Sequence, residues 1–159
     1  MPRRVAVLLA LALSAATATA ACGGGDPPRQ DPACIAPAQT IERALTHAPA
    51  PVTLESGTRL SDCIARARSD ADLQNTGLVL TRVADDLAAR AQRGDARAAL
   101  LLGYLVGAAR RGAAHTNGIH AELQHRMESA ARPLSEEAAG SPTITRALAR
   151  GLRAGEATG

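Results

Sequence analysis

From Cys34 onward, apolar residues recur at intervals of three and four, the repeat of one face of an α-helix. Ala38, Ile41, Leu45 and Ala48 predict a first helix over 37–48, opened by Pro37 and stopped by Pro49 and Pro51. Val52 to Gly57 reads as a connector. Leu60, Ile64 and Ala67 predict a second helix over 59–68, with Cys63 one position beside the stripe. Ser69 followed by Asp72 has the spacing of a capping box and opens a third helix over 70–93. Its apolar face carries Leu73, Leu80, Val83, Leu87 and Ala91. Gly94 ends that helix, and Asp95 is placed to cap the next.

The next stretch, 96–111, is apolar all the way round: Leu100, Leu101, Leu102, Tyr104, Leu105 and Val106 encircle its axis. A helix with no polar face is buried on every side, so this one is expected at the centre of the bundle. Ala99, Gly103 and Gly107 recur every four residues and form a ridge of small side chains. Such a ridge admits a close neighbouring backbone, either another helix of the same chain or a second copy in a homodimer. Thr116-Asn117-Gly118 signals a turn. Ile119, Leu123 and Met127 predict a helix to about residue 131, stopped by Pro133. Ser141-Pro142 opens a last helix lined by Ile144, Leu148 and Leu152, whose Gly151 and Gly155 are expected to let its end fray. No run alternates in the manner of a strand. The fold class expected is all-α, one bundle of about five or six helices over 34–155.

The N-terminus follows a different pattern. Arg3 and Arg4 precede an unbroken apolar run, Val5 to Leu13, and small residues then lead to Cys22. This is the layout of a secretory signal over 1–21. The run falls short of the roughly 20 residues a membrane span needs. Ala20-Ala21-Cys22 followed by Gly23-Gly24-Gly25 resembles the lipobox of bacterial lipoproteins, with Thr19 where that family usually has Leu. The resemblance implies cleavage before Cys22, lipidation of its sulfur, and a body held on the outer face of a bacterial membrane. The alternative is ordinary signal-peptidase cleavage at Ala18-Thr19-Ala20 and a secreted soluble protein. Residues 22–33, rich in Gly and Pro, read as a flexible tether.

The cysteine count bears on this choice. With Cys22 lipidated, Cys34 and Cys63 remain as one pair for an oxidising compartment. A disulfide between them would tie the start of the first helix to the second.

Composition narrows the function. The chain has 18 basic residues, all arginine, against 15 acidic ones, and Arg3 and Arg4 belong to the signal. The remainder is close to neutral with its charges interspersed, so no nucleic-acid partner is expected. Tyr104 is the sole aromatic residue, which removes stacking platforms for bases or sugars. The absence of lysine excludes Schiff-base chemistry and the lysine-bearing phosphate loop. No Cys-x-x-Cys and no Gly-x-Ser-x-Gly occurs.

Several candidate sites carry little. His115, His120 and His125 are weak metal candidates, because steps of five turn about 140° on a helix and point the imidazoles apart. Asp85-Asp86 and Glu136-Glu137 are adjacent pairs, whose members diverge on a helix rather than sharing a site. Arg93-Gly94-Asp95 matches a cell-adhesion tripeptide, but a helix stop and cap explain it locally. The spacing of Ala91, Gly94, Asp95, Ala98, Leu102 and Gly103 resembles one tetratricopeptide-like helix. No second copy follows, which implies an isolated helical hairpin rather than a repeat array. Arg146, Arg150 and Arg153 share a stripe opposite the apolar side of the last helix. It reads either as a membrane-surface helix or as a solvated face with its apolar side docked on the bundle.

No catalytic residue and no cofactor is assigned. The expected role is a non-enzymatic interaction module at the cell envelope, with the membrane and an envelope protein as partners. The alternatives are a small-ligand or metal-binding lipoprotein and an unrecognised hydrolase.

Overall fold

A computed structural model describes residues 30–67, 69–116, 118–135 and 141–159. The signal segment and Cys22 lie outside the described residues, as does the tether up to residue 29. Among the described residues the chain forms six α-helices and no strand: α1 (Ala38–Leu45), α2 (Leu60–Ala65), α3 (Asp70–Gln92), α4 (Ala96–Ala113), α5 (Ile119–Ser135) and α6 (Pro142–Thr158). A short 3-10 turn, Pro32–Ile35, precedes α1. The chain is a small all-α bundle, as its periodicity indicates.

The helices begin where short polar side chains can accept a free backbone N–H. Ser69 accepts from the Asp72 amide at 3.1 Å, Asp95 from that of Ala98 at 2.9 Å, and Ser141 from that of Thr143 at 3.4 Å. Gly94 adopts φ +96° between α3 and α4, a conformation that glycine enters without strain.

Helix α4 is the axis of the molecule. Fourteen of its 18 residues are buried, including Tyr104, Leu102 and Leu105. Helices α2, α3 and α5 pack around it, and α6 lies along it in the most extensive contact of the fold. Helix α1 rests on α3, and α3 also meets α5.

The small-residue ridge explains the α4–α6 contact. A β-carbon on Gly103 would stand 2.9 Å from the Leu152 nitrogen, and one on Gly107 2.7 Å from the Glu156 nitrogen. The reverse holds for α6: a β-carbon on Gly151 would stand 2.8 Å from the Tyr104 nitrogen, and one on Gly155 2.9 Å from that of Ala108. The two backbones touch, with glycines on both sides. Helix α6 thus fills the ridge that a second copy would need. It also corrects the expectation of fraying, because Gly151 and Gly155 are buried and α6 continues to Thr158.

Three further boundaries differ from the pattern. Pro133 does not stop α5, which runs on to Ser135. Proline removes one backbone hydrogen bond and crowds the preceding turn, but it stands in the final turn. There buried Leu134 and a bond from the Thr145 hydroxyl to the Leu134 carbonyl at 3.3 Å hold the chain. Helices α1 and α2 are shorter than predicted, yet Ala48 and Ala67 beyond their ends are buried on the expected faces. Residues 30–33, expected in the tether, belong to the body. Gln30 donates to the Cys63 carbonyl at 3.2 Å and to the Thr76 hydroxyl, and Asp31 opens the 3-10 turn.

The connector after α1 is more ordered than its sequence suggested. Val52 and Leu54 are buried, Thr53 bridges to Arg59, and Leu54 donates to the Thr58 carbonyl at 2.8 Å. Asp31 accepts hydrogen bonds from the Ser56 hydroxyl at 2.6 Å and from the Thr58 hydroxyl, fixing this loop against the 3-10 turn.

Candidate functional site

Cys34 and Cys63 form a disulfide, with Cα atoms 5.5 Å apart and both side chains buried. It joins the 3-10 turn to α2. The bond braces the body and offers no reactive thiol at the surface.

The histidine candidates are not brought together. His115 lies exposed in the turn after α4, His120 in the first turn of α5, and His125 exposed further along α5. Among the described residues no group of three His, Cys, Asp or Glu side chains could hold a metal ion. Asp85 and Asp86 are both exposed on α3, and Glu136 and Glu137 lie outside the described residues. Arg93-Gly94-Asp95 serves its local role: Gly94 turns the chain and Asp95 caps α4. Arg90 pairs with Asp95 at 3.1 Å and with Glu42 of α1 at 3.3 Å, closing that end of the bundle.

One ionic network joins three helices. Arg110 of α4 reaches Glu128 of α5 at 2.8 Å and Glu156 of α6 at 3.0 Å. Burial alone would push the Glu128 carboxyl up, but hydrogen bonds from Gln124 and Arg110 and the guanidinium charge outweigh it. The carboxyl therefore titrates below its ordinary range. The pairs are partly exposed and consume each other's charge, which suits bracing rather than proton transfer.

The surface feature that stands out is apolar. Leu78 projects from the middle of α3 with 75% of its surface exposed. On one side lies a groove of about 460 Å³ between α3 and α5, lined by Leu73, Gly77, Ile119 and Leu123 and rimmed by the polar side chains of Gln74, Thr81, Glu122 and Arg126. On the other lies a groove of about 370 Å³ between α1 and α3, lined by Pro37, Ala38 and Val79 with Gln39 and Arg82 at its polar edge. Leu78 borders both, so the two form one band across α3. Gly77 lets the Leu123 side chain come within 3.3 Å of where a β-carbon would be, which sets the floor of the first groove. A band of this kind can seat one or two apolar side chains of a partner helix against a charged rim. Sequence reasoning missed Leu78. The available signal was its position off the stripe of α3, with Gln74 and Arg82 one turn away on either side.

Helix α6 docks Ile144 and Leu148 on the bundle and leaves Arg146, Arg150 and Arg153 exposed. Among the described residues no helix is long and apolar enough to cross a membrane. No protein-family model, curated protein or solved structure matches the chain.

Proposed function

We propose that the chain is an exported lipoprotein, anchored through Cys22, whose helical body binds an envelope protein without catalysing a reaction. Exposed Leu78 between two apolar grooves carries this reading. A single exposed leucine is common on a protein surface, so the reading rests on Leu78 standing between two partly apolar grooves, a shape suited to a helix contact. The signal-like N-terminus and the lipobox-like Ala20-Ala21-Cys22 support placement at the envelope. A Cys34–Cys63 disulfide fits an oxidising compartment.

The partner chemistry that fits is an amphipathic helix presenting one or two leucine-like side chains beside charged residues. The test is a photoreactive residue at position 78, illuminated in intact envelopes. A discrete adduct is expected there and none from the same probe at Gln92, an exposed residue about 21 Å further along α3 at its other end. Equal or absent adducts at the two positions would sink the reading.

A further inference from the structure

We infer that the arginine stripe of α6 is a contact surface for anionic lipid headgroups, laid against the membrane that holds the anchor. Arg146, Arg150 and Arg153 are all exposed and fall within one narrow face of α6. None of the three is in a salt bridge among the described residues. The Arg146 Nε donates to the Pro142 carbonyl at 3.0 Å, and neither terminal nitrogen has a hydrogen-bond partner among the described residues. The single acid of α6, Glu156, is turned toward Arg110 and paired with it at 3.0 Å. Among the described residues the stripe is therefore positive charge with no acid facing it over about 10 Å of helix.

Its apolar side is not available to enter a bilayer. Ile144 and Leu148 are buried, and Gly151 and Gly155 lie against the α4 backbone. Contact must therefore be electrostatic, between guanidinium groups and headgroup phosphates, and sensitive to salt.

The reach of the anchor favours a membrane. Gln30 packs on Cys63 of α2, and the Ser61 hydroxyl of the same helix donates to the Gly159 carbonyl at the end of α6. The point where the chain leaves for the anchor and the end of α6 thus share one end of the bundle. From Cys22 to Gln30 the chain spans at most about 27 Å. Measured back along the helix from Gly159, Arg153 lies about 9 Å and Arg146 about 20 Å away, so the whole stripe falls within the reach of the tether and is held at high local concentration near headgroups. Lipid anchoring at Cys22, proposed above, supplies this nearness.

The experiment uses the protein purified from its native membrane, with an intact mass taken first to read its acylation. It is reconstituted in phosphatidylcholine nanodiscs with and without phosphatidylglycerol, and its arginines are modified with phenylglyoxal. At low salt, Arg146, Arg150 and Arg153 should each react about fivefold more slowly in the anionic discs, the factor corresponding to about 1 kcal/mol per arginine. Arg43, Arg82 and Arg93, exposed elsewhere, should react equally in both. High salt should abolish the protection, and inorganic phosphate added to neutral discs should not reproduce it. Equal rates in the two discs, or equal protection of all six arginines, overturns the assignment. Protection in intact envelopes but not in anionic discs also overturns it and indicates an acidic protein instead. A mass showing no acylation removes the anchor, yet the same labelling with added anionic vesicles still decides the stripe.

Discussion

The backbone of Gly155 lies against the carbonyl of Tyr104, so close that a β-carbon on Gly155 would overlap the carbonyl oxygen. Gly151 stands in the same relation to the Leu100 carbonyl one turn earlier. Neither obstacle is a flexible side chain that could swing away. Gly155→Ala and Gly151→Ala should therefore force α6 off α4, at a cost of about 3 kcal/mol or more. Thermal unfolding should show midpoints lower by roughly 10 °C for each. Gly77→Ala is the contrast, because its nearest neighbour is the Leu123 side chain at 3.3 Å. It should stay within about 1 kcal/mol of the parent, since helix propensity offsets the crowding.

Tyr104 is fully buried, and its hydroxyl accepts from the Val52 amide at 2.9 Å and meets the Thr158 hydroxyl at 3.1 Å. One phenol thereby links α4 to the connector before α2 and to the last turn of α6. Tyr104→Phe keeps the ring and leaves the Val52 N–H without its partner. The expected loss is about 1–3 kcal/mol in urea unfolding. A variant as stable as the parent would show that the hydroxyl is not what holds the connector.

Reducing the Cys34–Cys63 bond frees a loop whose ends are 29 residues apart in sequence. Chain entropy puts the loss near 3.5 kcal/mol, or about 10 °C in melting temperature. Melts with and without strong reductant check this. An unchanged midpoint would mean that the packing of Cys34 and Cys63 alone holds the turn on α2.

Acid should weaken the fold through three carboxylates. Hydroxyls of Ser56 and Thr58 and the Ala33 amide hold the Asp31 carboxyl below its ordinary value of 3.8. The Ala98 amide, acting against burial and helped by Arg90, does the same for Asp95, whose ordinary value is also 3.8. Glu128 lies below its ordinary 4.5. Each group is more acidic folded than unfolded, so unfolding takes up protons in acid. Its contribution is complete above the unfolded value and disappears as pH falls through the lower folded value. Stability should be level above about pH 5.5 and decline below about pH 4.5. Asp31→Asn should flatten part of that decline, read as urea midpoints across pH.

The helices, their order and the buried centre are legible in residue spacing. The three-and-four spacing of Ile, Leu and Val can place its apolar face nowhere but inward, and Ser69, Asp95 and Ser141 mark helix starts through bonds to amides only two or three residues away. These are local relations, so they can be read without a partner in view. Which helix fills the ridge of Gly103 and Gly107 is visible only in three dimensions. Glycine at 151 and 155 reads as a weak helix end until the facing backbone is known, and then as the reason that end is fixed. The same holds for Leu78. Periodicity shows that it leaves the stripe of α3, but the grooves beside it exist only because α1 and α5 pack at a distance on either side. Pairing between elements far apart in the chain depends on shape in three dimensions, which one-dimensional spacing does not encode.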